Sequence, residues 1–358
     1  MEPMTDDRLW FKREPIVCGV PLFGNTPRHD NHALRNTLTE IFHGNCHTGV
    51  DRIYFDAVQE IVRDGTINDN RTDVPTVSKF GLSRTYNAND FLLKSKKVHT
   101  KSIIVELCWF LRGETNVKYL HDHGVTIWDE WAPEDGDLGP VYGHQWRAFG
   151  ERETFNAGLG HNVISYPGVD QIKKLIEGLV NNPGSRRHIV NAWNPAEADH
   201  VALPPCHVLF QLGVDKARDQ INMTMYQRSA DFFLGVPFNI ASYCMLLHMI
   251  VNEVNGMLGI PLYTAGNFHH AIGDAHIYVN HAEQIVQQYA QSSDYLPAQL
   301  DLTGFSLFDP KPDHQSLESA DDRREGGDLE IDKSGHFATN AVKAHSISVF
   351  SLLTKQPG

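Results

Sequence analysis

Apolar residues recur at helical spacing at Val50, Ile53, Phe55, Val58, Ile61 and Val62. This predicts an amphipathic helix from Gly49 to Asp64, with Gly65 closing its C-terminus in the usual way. A polar loop, Asp69-Asn70-Arg71-Thr72, separates it from the strand-like run Thr76 to Phe80. Ser102 to Leu111 is an apolar helix interrupted by one acid, Glu106. A carboxylate among Ile103, Ile104, Leu107, Trp109 and Phe110 is costly unless it is paired or has a chemical task. Farther on, Gln171 to Asn181 predicts a short helix, and Pro183-Gly184-Ser185-Arg186-Arg187 leads into a strand from His188 to Trp193. Strands follow at Cys206 to Val214 and Ile221 to Gln227, then a helix from about Phe238 to Val254.

The most apolar stretch, Phe232 to Val251, approaches membrane-spanning length, but Pro237, Asn239, Ser242 and His248 interrupt it, which predicts a buried core helix. Residues 1–45 lack clear periodicity and read as an extension packed on a main domain spanning 46–300. From Asp301 to Lys333 the texture turns rich in Asp, Glu, Ser, Pro and Gly, a flexible acidic excursion that opens a divergent C-terminal segment, 301–358.

A chain of 358 residues with 41% hydrophobic content and 18 Phe can bury a substantial core. The net charge of -13 disfavours a non-specific binder of DNA or other polyanions but leaves room for a local anion site. Five cysteines with no CxxC pair fit a reducing compartment, and the acidic start, Glu2 to Asp7, lacks the features of a signal peptide. Cytoplasmic residence is the expectation.

Cys206 stands between Pro205 and His207, and Tyr226-Gln227-Arg228-Ser229-Ala230-Asp231 follows on the next strand. A lone cysteine is usually inert filler; a cation such as Arg228 nearby favours the reactive thiolate. His207 is not assured as its base, because successive strand positions face opposite ways. Arg71, Arg186, Arg187 and Arg228 suit a phosphate if the fold gathers them, although solvated arginines are the commoner outcome. Trp128, Trp131, Tyr142 and Trp146 crowd a loop region, either as a ring-binding wall or as core. The histidines show no metal-ligand spacing, and neither a dinucleotide fingerprint nor a P-loop is present.

These segments together resemble the thymidylate synthase family from roughly Phe55 to His281. The run Glu106 to Asn116, Trp128-Asp129-Glu130-Trp131 through Gly143, and Ser185-Arg186-Arg187 carry the resemblance. So do Pro205-Cys206-His207, Tyr226 to Asp231, Gly235-Val236-Pro237-Phe238-Asn239 and Gly273-Asp274-Ala275-His276-Ile277-Tyr278. The resemblance implies an α/β fold on a large mixed sheet flanked by helices, paired as a homodimer through that sheet. It implies dUMP as substrate and 5,10-methylenetetrahydrofolate as co-substrate. Cys206 would attack C6 of the pyrimidine, with Glu106, Tyr142, His207 and Asn239 as its catalytic companions. Asn239, where cytosine-specific relatives carry aspartate, favours dUMP over dCMP. Arg71, Arg228, Ser229 and the partner subunit's Arg186 and Arg187 would hold the phosphate, and His276 and Tyr278 the ribose. Trp128, Trp131, Leu203, Gly235 and Phe238 would line the folate side, Asp231 would bind the pterin and Lys97 the glutamate tail.

Family synthases close with Tyr-x-Pro-His-Pro, Ile-Lys and a short apolar lid. Here Asp328-Leu329-Glu330-Ile331 is followed by Asp332-Lys333-Ser334-Gly335-His336-Phe337 instead. Loss of a water-excluding lid tilts the shared intermediate toward hydration. The expectation is therefore a deoxyuridylate hydroxymethylase, resembling viral enzymes that make modified thymine bases. The alternatives are a thymidylate synthase giving dTMP and dihydrofolate, or a non-catalytic nucleotide- or RNA-binding member of the fold.

Overall fold

Two neighbouring strands that run parallel inside an otherwise antiparallel sheet set the architecture. The computed structural model describes residues 47–70, 74–156, 162–291, 299–308 and 346–348. In chain order the elements are α1 (Gly49–Asp64), β1 (Thr66–Asn68), β2 (Thr76–Asn87), α2 (Thr100–Arg112), α3 (Lys118–Asp122) and α4 (Tyr142–Ala148). The hairpin β3 (Arg152–Asn156) and β4 (Asn162–Tyr166) follows, then α5 (Gln171–Asn181), β5 (Ile189–Asn191), β6 (His207–Asp215) and β7 (Gln220–Asp231). The chain continues through α6 (Val236–Leu258), β8 (Thr264–Tyr278), α7 (Ala282–Tyr289), β9 (Gln299–Asp301) and β10 (Ser346–Ser348).

The six-stranded sheet has the order β1-β2-β8-β7-β6-β5. On β7, Ile221, Met223, Met225 and Gln227 point into the core, and the alternate residues Thr224 and Tyr226 remain exposed on the opposite face. That is the period-2 pattern of a sheet covered on one side. The covering element is α6, which buries residues all round its circumference, including Ile240, Tyr243, Leu246, Leu247 and Ile250. A helix apolar on every side belongs in a core. Pro237 opens it and Gly259, at φ 70°, closes it. Among the described residues no helix is long and apolar enough to cross a membrane.

Several sequence expectations shift at their edges. The helix expected from Ser102 to Leu111 runs from Thr100 to Arg112, and the strand expected from His188 to Trp193 shortens to Ile189–Asn191. Cys206 lies just before β6 rather than within it. Gly65 does end α1, but with φ −72° and ψ 164°, not in the left-handed conformation. Glycine is demanded there by crowding, since a Cβ would sit 2.4 Å from the Ile61 carbonyl oxygen. β8, central to the sheet, is missed by pattern reading because Gly266, Asn267 and Gly273 break its alternation. Arg71, residues 1–45 and the acidic stretch from Asp309 to Asp332 lie outside the described residues.

Candidate active site

The site is built where the start of β6, the end of β7 and the N-terminus of α6 converge. Arg228 N–H donates to the Cys206 carbonyl at 2.9 Å, which ties the cysteine to β7. The Arg228 guanidinium then folds back, with Nε donating to the Pro205 carbonyl at 2.9 Å and Nη2 to that of Pro204 at 2.8 Å. Nη2 also lies 3.7 Å from the Cys206 sulfur, and the guanidinium carbon sits 5.5 Å from the Trp193 ring centroid. The Pro204-Pro205 pair thus supplies carbonyls that aim a cation at the thiol, an arrangement that favours thiolate. Nη1 is outside these bonds, leaving a guanidinium edge for an anion.

Tyr142, on α4, accepts hydrogen bonds on its phenolic oxygen from the N–H of Cys206 at 2.7 Å and of His207 at 3.3 Å. Burial, assisted by the nearby Cys206, pushes its phenol well above the ordinary range. Glu106 projects from α2 toward the same region, and Trp128 Nε1 donates to its Oε1 at 2.7 Å. Burial raises this carboxyl to about 7, against the opposing effect of the Trp128 bond. A carboxyl poised near neutrality suits proton transfer in either direction. Trp128 is buried, and Trp131, 37% exposed, packs edge-on to it with ring centroids 5.8 Å apart. Leu203 and Phe238 are half-buried against the core.

His207 faces inward between the rings of Tyr142 and Tyr243, at 5.4 and 5.1 Å. Burial lowers its imidazole to about 4, with a hydrogen bond to Asn239 opposing the shift, so the ring is neutral at physiological pH. Asn239 sits in the first turn of α6, and its Oδ1 accepts from Gln227 Nε2 at 3.1 Å. Ser229 and Asp231 lie on β7 opposite Asp274 and His276 of β8. Asp231 Oδ1 accepts from the N–H groups of Phe233 and Leu234 at 2.9 and 3.0 Å, and its carbonyl accepts from Gly235, shaping the turn into α6. His276 and Tyr278 project from one side of β8 with rings 5.4 Å apart.

The remaining expected contacts are spread more widely. Arg186 and Arg187 are exposed on the approach to β5 and make no contact with Cys206 or Arg228 among the described residues. Lys97 is exposed, whereas Lys96 turns inward, its ammonium 3.5 Å from the Phe233 ring centroid and donating to the Phe233 carbonyl. Burial lowers Lys96 to about 8, partly offset by Asp231. Lys96 and Trp193 were not singled out by sequence reasoning, whereas Gln227 entered only as part of the Tyr226 to Asp231 motif and His270 only among the histidines weighed as metal ligands. For Gln227 and Trp193 a usable signal existed, their adjacency to motif residues. No cluster of His, Cys, Asp or Glu among the described residues could hold a metal ion.

The arrangement offers a thiol beside a cation, a near-neutral carboxyl behind an aromatic wall, and an amide at the end of a buried hydrogen-bond chain. Such a set can form a covalent adduct with a flat, anionic heterocycle and move protons around it. The family model described as thymidylate synthase matches residues 52–321, a span that contains every one of these groups.

Proposed function

The chain belongs to the thymidylate synthase family, whose chemistry is folate-dependent one-carbon transfer to C5 of dUMP, and we propose that Cys206 is the nucleophile of that reaction here. The observation that carries this reading is the 3.7 Å approach of Arg228 to the Cys206 sulfur. The thiolate adds to C6, the C5–C6 π pair moves toward O4, and C5 becomes the nucleophile that takes the methylene of 5,10-methylenetetrahydrofolate. Loss of the C5 proton and departure of tetrahydrofolate leave an exocyclic methylene, with Glu106 relaying protons at O4 and C5. Neutral His207 and Asn239 hold the pyrimidine edge, and Tyr142 fixes the backbone that carries the thiol. Arg228 and Ser229 take the phosphate, His276 and Tyr278 the ribose hydroxyl.

The co-substrate lies against Trp128, Trp131, Leu203 and Phe238, with Asp231 and Gly235 at its pterin end. The exposed Lys97 is the cation for its glutamate tail. A homodimer through the open face of the sheet brings the partner's Arg186 and Arg187 to the phosphate; exposure of Tyr226 at 38% and Ile189 at 45% on that sheet supports it. In the last step, addition to the exocyclic methylene re-forms the C5–C6 double bond and expels the Cys206 thiolate; the departure from the synthase pattern after Ile331 favours water as the adding group, giving 5-hydroxymethyl-dUMP and tetrahydrofolate. The buried Trp128 and Tyr142 wall favours the other fate, hydride transfer to give dTMP and dihydrofolate.

Incubation with dUMP and methylenetetrahydrofolate, followed by chromatography of the nucleotide, separates the two products. A covalent complex with 5-fluoro-dUMP and folate that forms in the wild type and not in C206S is expected. Its absence in the wild type would overturn the catalytic reading altogether.

A further inference from the structure

Behind Asn239 runs a buried chain of hydrogen bonds that performs no chemical step. It begins at His270, a fully buried residue on β8. His270 Nε2 lies 2.8 Å from Gln227 Oε1. Gln227, buried on β7, donates from Nε2 to the Ser229 carbonyl at 3.0 Å and to Asn239 Oδ1 at 3.1 Å. The two side chains meet because both point to the core face of adjacent parallel strands, Met225 being the register partner of His270.

The direction of every bond in the chain follows from its fixed end. A main-chain carbonyl only accepts, so Ser229 defines the Gln227 nitrogen as the donating end of that amide. The opposite end is therefore an acceptor, and the His270 nitrogen that faces it carries the proton. His270 Nδ1 has no hydrogen-bond partner among the described residues, and burial lowers the imidazole to about 3. The ring is thus neutral, with its single proton committed to Gln227. The second Gln227 N–H requires an oxygen opposite it, which sets the Asn239 carbonyl on the Gln227 side and fixes where its amide nitrogen lies.

A primary amide can pair with uracil or with cytosine, depending only on which way round it sits. Uracil offers an N3–H donor and an O4 acceptor; cytosine offers an N3 acceptor and an N4 donor at the same two positions. A freely turning asparagine therefore discriminates poorly, and a tethered one discriminates well. We propose that His270 is a specificity-determining positioning residue, holding the Asn239 amide through Gln227 in the orientation that accepts uracil and rejects cytosine. This rests on the dUMP reading above.

The test measures tritium release from C5 of [5-³H]dUMP and [5-³H]dCMP in the presence of methylenetetrahydrofolate, a readout independent of the final product. H270F fills the volume but cannot donate, and H270Q restores an N–H. The ratio of kcat/KM for dUMP over dCMP is expected to fall about tenfold or more in H270F and to stay within about threefold of wild type in H270Q. Should H270F fail to fold, Q227M cuts the same chain one bond closer to Asn239 and carries the same expectation. An unchanged ratio in the cut chain, or an equal fall in H270F and H270Q, overturns the relay. A wild type that releases no tritium from dUMP overturns the dUMP reading first, and the relay with it.

Discussion

The phenolic oxygen of Tyr142 accepts from the backbone N–H of Cys206 at 2.7 Å, so the proposed nucleophile is hung from a helix sixty-four positions earlier in the chain. A second bond, from the His207 N–H at 3.3 Å, shares the same oxygen. The thiol is thus placed through its main chain.

Removing that oxygen in Y142F leaves two N–H groups short of an acceptor, at a cost of about 1–3 kcal/mol. Denaturant unfolding should register the loss. A displaced thiol should also lower kcat by up to about a hundredfold, more than it changes substrate binding. Wild-type kcat with reduced stability would confine Tyr142 to structure.

Glu106 provides a pH signature. Its carboxyl is raised to about 7 in the folded chain from an ordinary 4.5, so the native state holds a proton that the unfolded state releases across that window. Its unfavourable contribution is absent below pH 4.5, grows as pH rises toward 7, and reaches on the order of a few kcal/mol above it. E106Q should flatten this part of the stability profile and be relatively more stable than wild type above pH 7. The same substitution should reduce kcat by about a hundredfold or more. Parallel urea titrations at several pH values, together with steady-state rates, check both halves.

Lysine cannot reproduce the fork by which Arg228 spans two prolyl carbonyls and the sulfur. R228K is expected to raise KM for dUMP about tenfold or more. With the cation no longer held beside Cys206, the pH profile of its alkylation by iodoacetamide should move to higher pH. An unmoved profile would show that Arg228 does not tune the thiol.

If Arg186 and Arg187 act across a dimer, the double variant R186A/R187A and the variant C206S should each be inactive yet complement one another. Random mixing of the two subunits should restore about a quarter of wild-type activity, since half the dimers then hold one intact site. Failure to complement in a verified mixed dimer would place the arginines on their own subunit's site, or on none.

Local order was legible in the sequence. The apolar stripe of α1, the isolated acid of α2, the all-apolar α6 and the Cys206 and Arg228 segments are each set by neighbours within a few residues, and the chain's family follows from their order. Tertiary structure alone decided which of these groups touch. Arg228 reaches Cys206 only through the pairing of β6 with β7, and His270 reaches Gln227 only through the parallel register of β7 with β8. Lys96 rather than its neighbour Lys97 faces inward because of how the segment before α2 meets the turn at Phe233. Side-chain period along a strand is two residues, so a register shift of one would have reversed every such contact; periodicity within a segment cannot choose between the registers, and packing of the shared core can.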